Sequence, residues 1–305
     1  MKVPMENPWL HRFCVLLAVC TLFLVVAGAS VTSNEAGLSV PDWPLSYGKV
    51  MPDMTGGVFF EHGHRLIAST VGFLTVILAL WLWIVEDRRW MKWLGFAALL
   101  GVIVQGVLGG LTVKYLLPKP ISISHACLAQ LFFSTTVAIA IFTSPSWRRG
   151  PIIIEDSGWP SLHSLALALP IATLLQVALG AGYRHKAFSV IPHVVGAIFV
   201  TVLLMMVSVF VITQAANNAQ LGTIGWALLS VTCVQVILGV GSILARASMN
   251  EAGRPPLSLI LLTVAHVATG ALTMAGSVAL TVLVFRNVRS HANLASHSQG
   301  LRTVS

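Results

Sequence analysis

VFFEHGHRLIASTVGFLTVILALWLWIV, residues 58–85, opens with a carboxylate (Glu61), two imidazoles (His62, His64) and a guanidinium (Arg65), then runs apolar to Val85. An apolar stretch of about 20 residues crosses roughly 30 Å of hydrocarbon as a helix, so these residues predict a membrane span. Ionisable groups at its mouth need a reason, because such groups are expensive in a span and mostly functional. The rest of the chain is of the same kind. Of 305 residues, 56% are hydrophobic and 9% charged, where a soluble domain carries about 25% charged residues. Further apolar runs at 13–30, 94–113, 124–143, 162–182, 192–214, 221–245 and 257–285 bring the spans to eight. The predicted fold class is an all-α integral membrane protein, its eight transmembrane helices arranged as two pseudo-symmetric four-helix bundles.

The first span follows Lys2 and Arg12 and ends in the small residues Ala27 to Ser30, as a signal peptide would. Its length and its likeness to the other seven favour retention. An even number of spans places both termini on one side. That side carries ten Lys and Arg, Lys2 and Arg302 among them, against eight on the other, Arg254 among them. Arg65, Lys114, Arg184 and Arg246 abut span ends, where a charge can serve a ligand. Setting them aside leaves ten against four, which predicts cytoplasmic termini. The pI of about 9.8 follows from scarce acids and this loop bias, and no nucleic-acid motif accompanies it. Cys14, Cys20, Cys127 and Cys233 lie inside spans without C-x-x-C spacing, which suits small core residues.

Three odd-numbered spans carry a Gln, a Gly-rich stretch and a basic residue: QGVLGGLTVK (105–114), QVALGAGYR (176–184) and QVILGVGSILAR (235–246). Each leads through a loop to a span with one His near its start, His125, His193 and His266. The first span keeps only the small residues, yet leads likewise to His64. The unit is a helical hairpin repeated four times, grouped as halves 1–146 and 161–305 around a linker at 147–160. The glycines by themselves read as helix-packing residues.

His64, His125, His193 and His266 fall at comparable depth, and each has Ala68, Ala129, Ala197 or Gly270 four residues on. Residues i and i+4 share a helix face, so a small residue beside each imidazole leaves room for a flat macrocycle. Two facing imidazoles can hold a haem iron from both sides, and the halves supply two such pairs. Zinc or copper suits the pattern less, with one His per hairpin and no companion Cys. Arg65, Lys114, Arg184 and Arg246 would then meet haem propionates, or snorkel to the interface.

Glu61 breaks the repeat. It lies three residues before His64, where the other histidines have Ser122, Val190 and Thr263, so the halves do different work. A carboxylate one turn from a haem ligand can handle protons; alternatively it pairs with Arg65 or caps the helix. His62 faces away from His64 and reads as an interfacial residue.

The chain resembles the haem A synthases over nearly its whole length. EHGHR (61–65), GLSVPDWPLSYGK (37–49) and the later histidines carry the resemblance. It implies a bacterial cytoplasmic-membrane enzyme that oxidises the C8 methyl group of haem O to a formyl group, giving haem A for terminal oxidases. His64 and His125 would hold the haem O substrate, His193 and His266 a haem B that passes electrons, and Glu61 would be the essential acid, with His64 beside it in the catalytic site. Expected partners are haem O, the farnesyltransferase that makes it, an electron donor, membrane lipid and a homo-oligomeric copy. Many members have a cysteine pair where this chain has Val40 and Ser46, so thiol chemistry cannot occur there. Two other readings stand beside this one. A di-haem b-type, quinol-oxidising cytochrome explains the histidines but gives Glu61 no task. A transporter would want a polar midplane, whereas the ionisable residues cluster at span ends.

Overall fold

The computed structural model describes residues 7–156, 159–214, 218–248 and 255–290; Lys2, Arg254 and Arg302 lie outside them. Eight long apolar helices match the eight expected spans: α1 (Pro8–Ser33), α2 (Gly57–Val85), α3 (Arg89–Lys114), α4 (Lys119–Thr143), α6 (Leu162–Arg184), α7 (Ile191–Gln214), α8 (Ala219–Ala247) and α9 (Leu257–Asn287). A single turn, α5 (Pro145–Arg148), follows α4, and strands β1 (Ile154–Asp156) and β2 (Val288–Ser290) pair in parallel. The chain is an all-α, multi-pass membrane protein.

Packing closes two rings. α1 lies on α2, α2 on α3, α3 on α4 and α4 on α1; α6, α7, α8 and α9 close the second ring in the same order. Each ring has its own apolar core, one around Leu17, Leu78, Leu82 and Ile139, the other around Leu169, Val207, Leu228 and Leu280. A third cluster, Val25, Phe133, Ala271 and Ala275, joins them where α1 and α4 meet α9. Half of the apolar window of α4 and of α9 is buried, against 11% of that of α8. Lipid-facing helices need no buried stripe, because lipid tails are as apolar as the core.

Local sequence sets the ends. Asn7 and Asn218 cap α1 and α8, their side-chain oxygens accepting from Leu10 N–H at 3.0 Å and Gln220 N–H at 3.1 Å. α1, α3 and α6 all end in a left-handed residue, Glu35, Leu116 and Lys186. In each, the next N–H reaches five residues back: Ala36 to Val31 (2.9 Å), Leu117 to Thr112 (2.7 Å) and Ala187 to Gly182 (2.8 Å). These matching turns aim three loops toward the helices that carry the histidines. Pro170, inside α6, cannot donate to the Ala166 carbonyl. Thr281 of α9 supplies that bond at 2.6 Å.

The end of the bundle nearer the termini is tied by Arg88, which pairs with Glu86 at 2.7 Å and donates to the Phe142 carbonyl at 3.1 Å. Arg286 lies 4.0 Å over the Trp147 ring and donates to the Trp147 carbonyl. Together with the strand pair, these contacts fix the linker against α9.

Candidate functional site

All four histidines stand within the first three turns of α2, α4, α7 and α9, at the other end of the bundle. Each imidazole lies against a glycine of the preceding span. A methyl group added there would approach the His Cε1 to 3.1 Å at Gly28 (His64), 3.4 Å at Gly109 (His125), 2.9 Å at Gly180 (His193) and 2.9 Å at Gly239 (His266). These glycines are the seats of the histidines, a role that packing alone does not describe. Of the four small residues expected to leave room for a macrocycle, Gly270 does not leave it open: the Gln235 amide takes the space there, and the Gln176 amide does the same at Gly196, the neighbour of Ala197.

The glutamine that opens each of the three repeats, marked in the sequence but without a role there, is a partner of the histidine that follows it. Gln105 donates to the His125 carbonyl at 3.0 Å, and Gln176 to that of His193 at 2.8 Å. The spacing Q-x-x-x-G in 105–109, 176–180 and 235–239 was the available signal, since it puts the amide and the seat on one face.

α7 and α9 stand diagonally in their ring, and the His193 and His266 ring centres are 6.3 Å apart at 88°. Two metal–nitrogen bonds of roughly 2 Å, plus about 1 Å from each ring centre to its nitrogen, span about 6 Å. The pair therefore has the spacing of two axial ligands. In the first half, His64 Nδ1 and His125 Nδ1 are buried without a hydrogen-bond partner, as groups awaiting a ligand would be. Among the described residues no three His, Cys, Asp or Glu converge as a metal-ion site, so each pair would fill two positions and leave the rest to a macrocycle. The donor set fits haem.

Glu61 is buried, with both oxygens engaged: Oε1 by Arg65 Nη2 at 2.7 Å and Oε2 by the Val40 N–H at 2.8 Å. Arg65 also donates through Nη1 to the carbonyls of Asp42 (2.7 Å) and Leu45 (2.9 Å). It braces the loop between α1 and α2, and both Nη groups are committed. His62 corrects the expectation of an interfacial residue. It is 5% exposed, and its Nδ1 lies 2.8 Å from Ser46 Oγ. Val40 and Ser46 are themselves buried, so the two positions without cysteines hold the loop by hydrogen bonds. Asp42 accepts from Gly48 N–H (2.8 Å) and Tyr47 N–H (2.6 Å). Those bonds, Gly48's first, hold its carboxyl below the usual range, and Arg65 adds to them. Trp43 packs over Gly110 of α3.

Arg184 and Arg246 come together with Tyr183, Lys186 and Phe188 around a cavity of about 280 Å³. Arg184 donates to Ser33 Oγ of the first half at 3.3 Å, and Ser33 Oγ lies 2.9 Å from Thr263 Oγ1. Burial, reinforced by Arg184, pushes His185 below the usual histidine range. Lys114 lies over the ring of its neighbour Tyr115, outside this cavity.

Residues 53–191 match the COX15-CtaA family model, described as a cytochrome oxidase assembly protein. Curated relatives named heme A synthase include those of Symbiobacterium thermophilum (31% identical over 174 residues, 55% of this chain and 56% of the relative) and Alkalihalophilus pseudofirmus (30% over 143 residues, 46% and 48%). That of Beijerinckia indica is 27% identical over 301 residues, 85% of this chain and 82% of the relative. The chain spans about half the length of the first two relatives it matches.

Proposed function

We propose that this chain is a haem A synthase, oxidising the C8 methyl group of haem O to a formyl group and producing haem A. The observation that carries this reading is the unequal pair of halves: two sets of glycine-seated histidines, with, among the described residues, a buried and doubly hydrogen-bonded carboxylate beside only one of them. On this reading His64 and His125 bind the substrate haem, and His193 and His266 hold a haem B. Bound there, haem B would supply electron transfer.

The chain's own residues position substrate and move protons. Arg65 engages Glu61 Oε1 with a permanent charge, while Oε2 meets one neutral N–H. Oε2 is therefore the oxygen that takes a proton during oxidation. Burial beneath residues 40–46 keeps bulk water from the site, which strengthens these contacts. Arg184 and Arg246, brought together at one cavity, would meet propionates, with Lys114 serving the first half. The haem O-forming farnesyltransferase and an electron donor would meet the protein at the membrane, with both termini on the cytoplasmic side of the bacterial inner membrane.

The test is to purify the protein from cells that make haem O, extract its haems and identify them by chromatography and mass. Haem B together with haem O, haem A or an oxidised intermediate is expected. Haem B alone, near two per chain despite available haem O, would overturn the reading in favour of an electron-transfer cytochrome.

A further inference from the structure

Arg184, in the lining of the second-half cavity, is tied to the first half through Ser33. Arg184 lies four residues beyond Gly180, the seat of His193, and Thr263 lies three residues before His266. Each therefore shares a helix face with a histidine or its seat and stands one turn nearer the outer end. Ser33, the last residue of α1, joins them, its Oγ 3.3 Å from Arg184 Nη2 and 2.9 Å from Thr263 Oγ1. The directions follow from the protons available. Arg184 can only donate, and the one hydroxyl proton of Thr263 goes to the α9 carbonyls of Leu259 (2.8 Å) and Ile260 (3.0 Å). Ser33 thus accepts from Arg184 and donates to Thr263.

We infer that Ser33, a residue of the first half, is a positioning residue for the second-half haem, holding the Arg184 cation where it favours the reduced iron. The inference rests on the reading that a haem binds between His193 and His266. Ser33 is the fixed member of the pair. It is buried, and the chain beyond it is locked: Asn34 N–H returns to the Ser30 carbonyl at 3.0 Å, Ala36 N–H to that of Val31 at 2.9 Å, and Val40 N–H reaches Glu61 Oε2 at 2.8 Å. Arg184 is the member that needs fixing. Its long side chain loses rotamer freedom when held, and among the described residues its guanidinium has no carboxylate at ion-pair distance and no second hydrogen bond. A fixed unit charge about 10 Å from an iron, at an effective dielectric constant of about 20, shifts the reduction equilibrium roughly tenfold. The same charge swinging into water is screened. Reduction there is a one-electron change at the iron, in which no bond breaks and no proton moves. Loss of the Ser33 hydroxyl therefore lowers the potential of a haem whose own ligands are untouched.

An equilibrium redox titration of the purified, haem-loaded protein tests this, followed at the absorbance of the haem that His193→Ala removes. Arg184→Gln should lower its midpoint by about 59 mV, a tenfold change for one electron. Ser33→Ala should reproduce most of that shift with haem content unchanged. So should Ser33→Cys, which keeps the shape of serine with a weakly accepting sulfur and serves if the alanine variant fails to fold. Ser33→Thr, which keeps the hydroxyl, should titrate as the parent. Parent-like midpoints in Ser33→Ala and Ser33→Cys, or in Arg184→Gln, would overturn the inference, as would a drop in Ser33→Thr equal to that in Ser33→Ala. In each of those cases the functional reading stands. If the double variant His193→Ala/His266→Ala keeps the full haem content, no haem sits between them and that reading fails with the inference.

Discussion

The Val40 N–H donates to Glu61 Oε2 at 2.8 Å across 21 residues of chain, so the loop between α1 and α2 and the carboxylate one helical turn from His64 are one unit. Removing the carboxylate should release the loop without touching the histidine seats. Glu61→Ala is expected to retain haem while abolishing haem A formation. Haem content and product are measured on the same preparation. Full product from Glu61→Ala would end the proton-handling role.

His193→Ala should remove the haem of the second half, since one imidazole of a pair 6.3 Å apart cannot hold it from both sides. Pyridine haemochrome analysis should show about one haem fewer per chain, lost from the b-type fraction. Retention of that fraction would mean that another residue ligates it.

The glycine seats predict a graded series. Gly180→Ala and Gly239→Ala push a methyl to 2.9 Å from an imidazole, whereas Gly109→Ala brings it to 3.4 Å. Overpacking of this kind costs about 1–3 kcal/mol, so the first two should lose second-half haem and Gly109→Ala should keep its haem. Gly106→Ala, with nothing within 4 Å of the new methyl, is the control and should behave as the parent. Equal haem loss across all four would show that the seats are not what the glycines provide.

How much of this was legible in sequence depends on the range of the interaction. The eight spans were, because bilayer thickness fixes the length of an apolar helix. The histidine repeat was too, since one residue in each hairpin announced it. The partners of those histidines were not, because Gly28 and Gly180 meet His64 and His193 across helix pairs whose rotation no single span reveals. His62 was misread for a related reason. A helix-face argument placed it away from His64 correctly, yet could not say that Ser46, from a loop sixteen residues earlier, would cover it. Arg65 reads in sequence as a propionate partner or a snorkelling residue, and its bonds to the carbonyls of Asp42 and Leu45, which no helix-face argument contains, show it bracing the loop.

Thr281→Val tests the repair of the proline in α6. The Ala166 carbonyl, deprived of its helical donor by Pro170, takes its hydrogen bond from Thr281. A buried carbonyl left without a partner costs about 1–3 kcal/mol, so the variant should unfold at lower temperature with the first half unaffected. Restoring the helical donor with Pro170→Ala in the Thr281→Val background should recover most of the loss. A Thr281→Val protein as stable as the parent would show that the bond contributes nothing.

The loop has its own pH dependence. Asp42 is held below the usual carboxylate range by the N–H groups of Gly48 and Tyr47, with help from Arg65. A carboxyl depressed in the folded state stabilises above its unfolded value, and that stabilisation disappears as pH falls through the folded one. The turn at 42–48 should therefore stay closed from neutral pH down to about 4 and open below it. Because Trp43 packs on Gly110, its fluorescence reports the opening in a variant keeping Trp43 as the only tryptophan near this end. Asp42→Asn should show the open signal already at neutral pH and lose the acid transition. A transition unchanged in Asp42→Asn would assign it to another group.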